Sequence, residues 1–264
     1  MYLALSAASL DRWLESGRIQ PWDVPAEARL RGFRAVELDA RCLRPAEKRS
    51  GGLRGIFRPA SSARDHDAES VARLRHALAD DRVEAAAWRA DTAFGALNDL
   101  AGARAAARRA LEVAAWLGAP TACLTLDPAA GVRIGAVVDG LGPLAADAER
   151  LGVRIALDAN PPAILDGLVL SIVQGVGSAW IGPGLTVGRG ARGDQPPFDV
   201  LARRAFYVRV WAGAGAALAS DRLAARVGAL RAAAYRGALV LDTAGGDPET
   251  DIPRWLEVLR RAGA

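Results

Sequence analysis

Short runs of β-branched and apolar residues alternate along this chain with longer stretches in which apolar residues recur every three or four positions. That alternation predicts parallel strands joined by crossover helices. Eight strand-forming runs stand out, at 2–6, 35–39, 83–88, 121–126, 154–158, 179–182, 206–210 and 238–241. Helical periods follow at about 22–31, 68–80, 97–117, 132–151, 162–174, 198–203, 220–235 and 252–261. Gly32, Gly118, Gly152 and Gly237 each fall between a helix and the next strand, where a left-handed cap suits glycine. Eight regular units without a dinucleotide-binding glycine signature favour an α/β fold closed into a single (β/α)8 TIM barrel over an open doubly wound sheet.

Length and composition sharpen this picture. At 264 residues the chain matches one barrel, so a single domain over 1–264 is expected, and 51% hydrophobic with 24% charged residues suffices for a large core. The first residues lack a basic region followed by an apolar signal core, and the longest apolar candidate, 168–173, is far shorter than the roughly 18 residues that span a bilayer. Cys42 and Cys123 are too few for a disulfide framework and too isolated for a zinc ribbon, so they read as buried thiols in a reducing cytoplasm, and a bacterial cytoplasmic protein is the expectation. The net charge of +4 comes almost wholly from arginine, since Lys48 is the only lysine. These arginines are spread over several helices among Asp and Glu, which argues against nucleic acid and membrane partners. A small-molecule ligand is the expected partner, with a homo-oligomer or protein partner left open.

Barrels carry their chemistry at the C-terminal ends of the strands. That rule selects Ser6, Glu37, Asp39, Trp88, Arg89, Asp91, Asp127, Asp158, Asn160, Arg209, Trp211 and Asp242. Proton abstraction beside a carbonyl needs a base, a second acid or base, and a donor for the enediolate oxygen. Glu37, Asp158 and Asp242 offer the carboxylates, and Arg209 or Arg89 the cation. Structural pairing of the same carboxylates with arginines is the competing reading, favoured roughly two to one for any single pair. Trp88, Trp180 and Trp211 are expected near strand ends, where aromatic faces stack on sugar rings or line an apolar pocket. With Asn160 and Arg89 they form the expected substrate-binding set. Lys48 stands in a loop and argues against Schiff-base chemistry, while His66 falls at the entry to the helix after the second strand and His76 on that helix's surface. The glycine-rich loop 183–197 reads as a mobile lid or an anion contact, and Gly213, Gly215, Gly245 and Gly246 permit a phosphorylated substrate.

Several phrases carry a likeness to a known family: Gly32-Phe33-Arg34-Ala35-Val36-Glu37-Leu38, Leu117-Gly118-Ala119-Pro120, Leu151-Gly152-Val153-Arg154-Ile155-Ala156-Leu157-Asp158 and Arg236-Gly237-Ala238-Leu239-Val240-Leu241-Asp242. In order and spacing the chain resembles the xylose isomerase-like (sugar phosphate isomerase/epimerase) superfamily over nearly its full length. The resemblance implies a Mn, Mg or Zn site built from a strand-five glutamate, a strand-six aspartate, a strand-seven histidine and a strand-eight glutamate. Asp158 and Asp242 match the first and last positions, each one methylene short. Trp180-Ile181-Gly182-Pro183-Gly184 and Arg209-Val210-Trp211 match the middle two and offer no ligand. An arginine there opposes a divalent ion. The expectation is an isomerase or epimerase working by proton transfer without the metal. The alternatives are an inactive barrel that serves as a ligand-binding or partner subunit, and a reorganised metal site using Asp158, Asp242, Glu37 or Asn160.

Overall fold

The computed structural model describes residues 1–44, 63–94, 100–126, 133–159, 166–188, 198–212 and 220–264. Eight parallel strands run β1 (Tyr2–Ser6), β2 (Ala35–Asp39), β3 (Glu84–Phe94), β4 (Thr121–Leu126), β5 (Arg154–Ala159), β6 (Ile181–Val187), β7 (Tyr207–Trp211) and β8 (Ala238–Asp242). Each pairs with the next and β8 closes onto β1, so the sheet is a closed barrel with no free edge. Helices α1 (Asp11–Ser16) and α2 (Val24–Leu30) follow β1. One helix follows each later strand: α3 (Ala63–Asp81), α4 (Leu100–Leu117), α5 (Ile134–Leu151), α6 (Asp166–Val176), α7 (Phe198–Ala202), α8 (Ser220–Ala232) and α9 (Asp251–Arg261). This is the (β/α)8 barrel expected from the periodicity.

Strand period sorts the side chains into two cores. Outward-facing Leu5, Val36, Leu38, Leu124, Leu157 and Val210 pack with helix residues such as Leu74, Leu111, Leu144 and Leu259. The barrel interior is a separate cluster of small residues, Ala4, Ala35, Ala86, Ala87, Cys123, Ala156 and Ala238, with Val240 and one large member, Tyr207. Alanines around the ring leave an interior wide enough for two long side chains from the same strand, Tyr207 and, two residues nearer the mouth, Arg209. At that upper level the inward positions turn polar: Ser6, Glu37, Asp158, Arg209 and Asp242 are all buried.

Three local expectations need correction. β3 continues to Phe94 instead of stopping at residue 88, because Ala93 and Phe94 pair with Thr125 and Leu126 beyond an irregularity in register. β6 begins at Ile181, not residue 179, and runs on through Pro183 and Gly184 to Val187, the start of the segment expected to be a loop. Pairing with Leu157 on one side and Tyr207 on the other overrides the low strand propensity of proline and glycine. Gly32, Gly118 and Gly152 have positive φ as expected, but Gly237 does not; the left-handed residue after α8 is Ala234. Gly237 is needed for another reason, since a Cβ there would run into the Tyr235 hydroxyl. The short helix α1, closed by Gly17 at φ 70, escaped the periodicity because six residues hold less than two turns.

A candidate site built around Arg209

The mouth of the barrel is organised by one guanidinium. Arg209, in the middle of β7, sends Nη2 to Oε2 of Glu37 on β2 at 2.8 Å. Its Nη1 lies 3.8 Å from Oδ2 of Asp158 on β5, and its Nε lies 3.6 Å from Oδ2 of Asp242 on β8. Nε also donates to the Tyr207 hydroxyl at 3.0 Å, and that hydroxyl donates to Glu37. Ser6 at the end of β1 donates to the other Glu37 oxygen at 2.7 Å while accepting from the amide of Ala8. Four strands thus meet through a single cation.

The remaining carboxylates have anchors of their own. Thr186 on β6 donates to Asp158, at 3.1 and 3.2 Å from its two oxygens. Asp242 accepts from the amide of Ala244 at 2.9 Å. Asp39 accepts from the amide of Arg41 and is ion-paired with that side chain, which also meets Asp11. The segment after β8 is fastened to the segment after β1, where Ser9 Oγ accepts from the amide of Thr243 at 2.8 Å.

Electrostatics follow from this geometry. Burial by itself would raise the Glu37 carboxyl, but the charges of Arg209 and Arg89 and the hydrogen bonds from Tyr207 and Arg209 outweigh it, so the group titrates below its usual range. Burial works against charge on Arg209, and Glu37, Asp242 and Asp158 more than compensate, which keeps it a permanent cation. Burial, with the nearby Glu37 charge, pushes the Cys123 thiol well up, so it is a packing residue rather than a nucleophile. Burial also lifts Asp11 to about 6, against the pull of Arg41.

Among the expected site residues, the structure brings Glu37, Asp158, Asp242 and Arg209 together. Arg89 lies on β3 opposite Asp39 and Cys123 in register, and its charge acts on Glu37. Trp211 ends β7, level with Asp242. Two tryptophans stand elsewhere. Trp88 belongs to the helix-facing core, because its neighbour Ala87 faces the barrel interior and alternation turns Trp88 outward. Trp180 precedes β6 and therefore sits at the N-terminal end of the barrel, opposite the mouth. His76 is exposed on α3 as read from sequence. Asn160, Asp127, Lys48, Gly213 and Gly215, and the part of the expected lid at 189–197, lie outside the described residues, as do the side chains of His66 and Asp91. Sequence reasoning missed Tyr207, Ser6 as a partner of Glu37, and Thr186. The signal for Tyr207 was the period of two, since it precedes Arg209 by two and must share its face.

The residues described at the mouth do not fit a divalent metal. The inner face of β6 offers Gly182, Gly184 and the Thr186 hydroxyl, and a Cβ at Gly184 would already press on Asp158 at 3.3 Å. β7 supplies the cation Arg209 between the carboxylates. Among the described residues no group of three His, Cys, Asp or Glu is placed to hold a metal, and no helix is long and apolar enough to cross a membrane.

The architecture has many counterparts among solved structures. D-allulose 3-epimerase from Methylomonas sp., in complex with D-allulose, superposes with a TM-score of 0.71 at 16% identity, covering 99% of this chain and 97% of that one. The E. coli 3-keto-D-glucoside 4-epimerase gives 0.67 at 13% identity, over 91% and 94%. A xylose isomerase-like TIM barrel/4-hydroxyphenylpyruvate dioxygenase fusion protein gives 0.70 at 18% identity over 99% of this chain, which spans 42% of the fusion's length. No protein-family profile and no curated protein matches the sequence. At such identities the likeness is one of architecture, and the chain has the xylose isomerase-like TIM-barrel fold.

Proposed function

We propose that this barrel isomerises or epimerises a small carbohydrate-like substrate by proton transfer, with Arg209 supplying the positive charge. The observation that carries the reading is the convergence of Asp158 and Asp242 on the Arg209 guanidinium at the C-terminal ends of three strands. One carboxylate removes the proton from the carbon beside a carbonyl, the C–H electron pair moves into a C=C bond, and the carbonyl oxygen becomes an enediolate oxygen. A guanidinium N–H stabilises that oxygen. The first carboxyl then hands the proton it took to the neighbouring carbon, or, for epimerisation, the second carboxylate relays one from solvent to the opposite face, so no oxidant or reductant is consumed. Glu37 takes neither part, because its oxygens are occupied by Ser6, Tyr207 and Arg209 and it titrates low. It is the residue that positions Arg209. Trp211 at the end of β7 supplies an aromatic face near the same mouth.

The test is solvent exchange. Ketoses including D-allulose, and their phosphates, are incubated with the protein in D2O and EDTA, and deuterium entering the carbon beside the carbonyl is followed by NMR. Exchange in wild type that disappears in folded Asp158→Asn and Asp242→Asn supports the reading. A second reading is that the barrel binds without turning over. Its support is the saturation of Glu37, which resembles a structural ion-pair network more than a poised base. Ligand-induced stabilisation without exchange in any condition would favour it.

A further inference from the structure

A cation is built into the barrel mouth as part of the chain, and we infer that Arg209 takes the place of a divalent metal there: the wild-type site refuses a dication, and replacing Arg209 alone admits one. Three observations carry this. Three different nitrogens of one guanidinium each lie within 4 Å of a carboxylate oxygen, and those carboxylates come from β2, β5 and β8. The guanidinium thus shares its charge among all three, as a bound cation at this place would have to. All three carboxylates are buried, so their charges require compensation from inside the barrel. Arg209 cannot deprotonate to make way for an ion, and its planar fork is tied on two sides by Tyr207 and Glu37.

Removing the guanidinium changes both charge and space. Glu37, Asp158 and Asp242 carry three negative charges, and without Arg209 the remaining cation acting on Glu37 is Arg89. Hard carboxylate oxygens around the vacated volume suit Mn²⁺ or Mg²⁺ with several waters retained to span the longer distances. An imidazole at position 209 adds a neutral ligand. The inference concerns charge balance, and it stands whether or not the barrel turns over a substrate.

The experiment reads metal content by elemental mass spectrometry and thermal unfolding after EDTA treatment, with and without Mn²⁺, Mg²⁺ or Zn²⁺, on wild type, Arg209→His and Arg209→Lys. No substrate is present, so the result is separate from the test of turnover. Wild type and Arg209→Lys, which keeps a cation in place, are expected to take up no stoichiometric metal and to show no change in melting temperature. Arg209→His is expected to melt well below wild type in EDTA and to gain roughly 5–10 °C at saturating metal, with about one ion per chain. Stoichiometric, stabilising metal in wild type overturns the inference. So does an Arg209→His protein that ignores every metal, or one that fails to fold with and without them.

Discussion

Nη2 of Arg209 donates to Oε2 of Glu37 over 2.8 Å, joining β7 to β2 across the barrel although β8 and β1 stand between them in the sheet. Both side chains are almost fully enclosed, at 4% and 1% exposure. An enclosed pair is worth little against a well-packed apolar substitute, yet breaking it by removing one partner leaves an uncompensated buried charge. Arg209→Met should therefore destabilise the fold by about 3–5 kcal/mol. In Glu37→Gln/Arg209→Met the charge at Glu37 is gone while those of Asp158 and Asp242 remain, so the double variant should recover only part of that loss. Urea unfolding of the two singles and the double measures the coupling. Strictly additive losses would show that the pair is not the organising contact.

The Glu37 carboxyl titrates low in the folded state, and the sign of its pH dependence follows. A depressed folded pKa adds stability that is fully present above the unfolded value of about 4.3 and is lost as pH falls through the folded value. Glu37→Gln should consequently be weakest relative to wild type at neutral pH, with the gap narrowing steadily below about pH 4. Tyr207→Phe removes a donor to Glu37 and an acceptor of Arg209 Nε, and should lose about 1–3 kcal/mol at pH 7. Chemical denaturation between pH 3 and pH 8 checks both, and a gap that widens in acid would contradict the assignment.

Asp11 runs the other way. Burial lifts it to about 6, so the folded state holds its proton more tightly than the unfolded chain does. Its charged form is then a liability that grows as pH rises from the ordinary carboxylate range through about 6. Arg41 lessens the effect through its ion pair with Asp11, but Arg41 keeps Asp39 as a partner when Asp11 is neutral. Asp11→Asn should melt higher than wild type at pH 7.5 and level with it near pH 4. Melting curves at those two values decide the matter, with a stabilised variant only in acid as the opposite outcome.

The barrel was legible because periodicity is written in every unit, and β1, β2 and β4 begin and end where the apolar runs do. Strand ends then placed Glu37, Asp158, Arg209 and Asp242 at one mouth. Legibility ran out where a third dimension decides. Trp88 and Trp180 were read as mouth residues by nearness to strand ends, but facing and strand start carry them to the outer core and the far end. The ring of interior alanines, which makes room for Tyr207 and Arg209, looks in sequence like ordinary alanine-rich composition. Only closure of the barrel shows that these residues surround one cavity and that Arg209 reaches three carboxylates from it.

β6 supplies the last expectation. A Cβ at Gly182 would stand 2.8–3.0 Å from three carbons of the Phe206 ring. The ring is no flexible tip that can swing aside: Arg154 packs on it at 5.1 Å, and Phe206 packs against the interior cluster. Gly182→Ala should thus overpack the lower barrel and lose about 1–3 kcal/mol. Phe206→Leu in the same chain removes the obstructing ring carbons, so the double variant should be less destabilised than the two single losses added together. Urea unfolding of the three variants measures this, and additive losses would mean that the glycine is required by the backbone of β6 rather than by the ring.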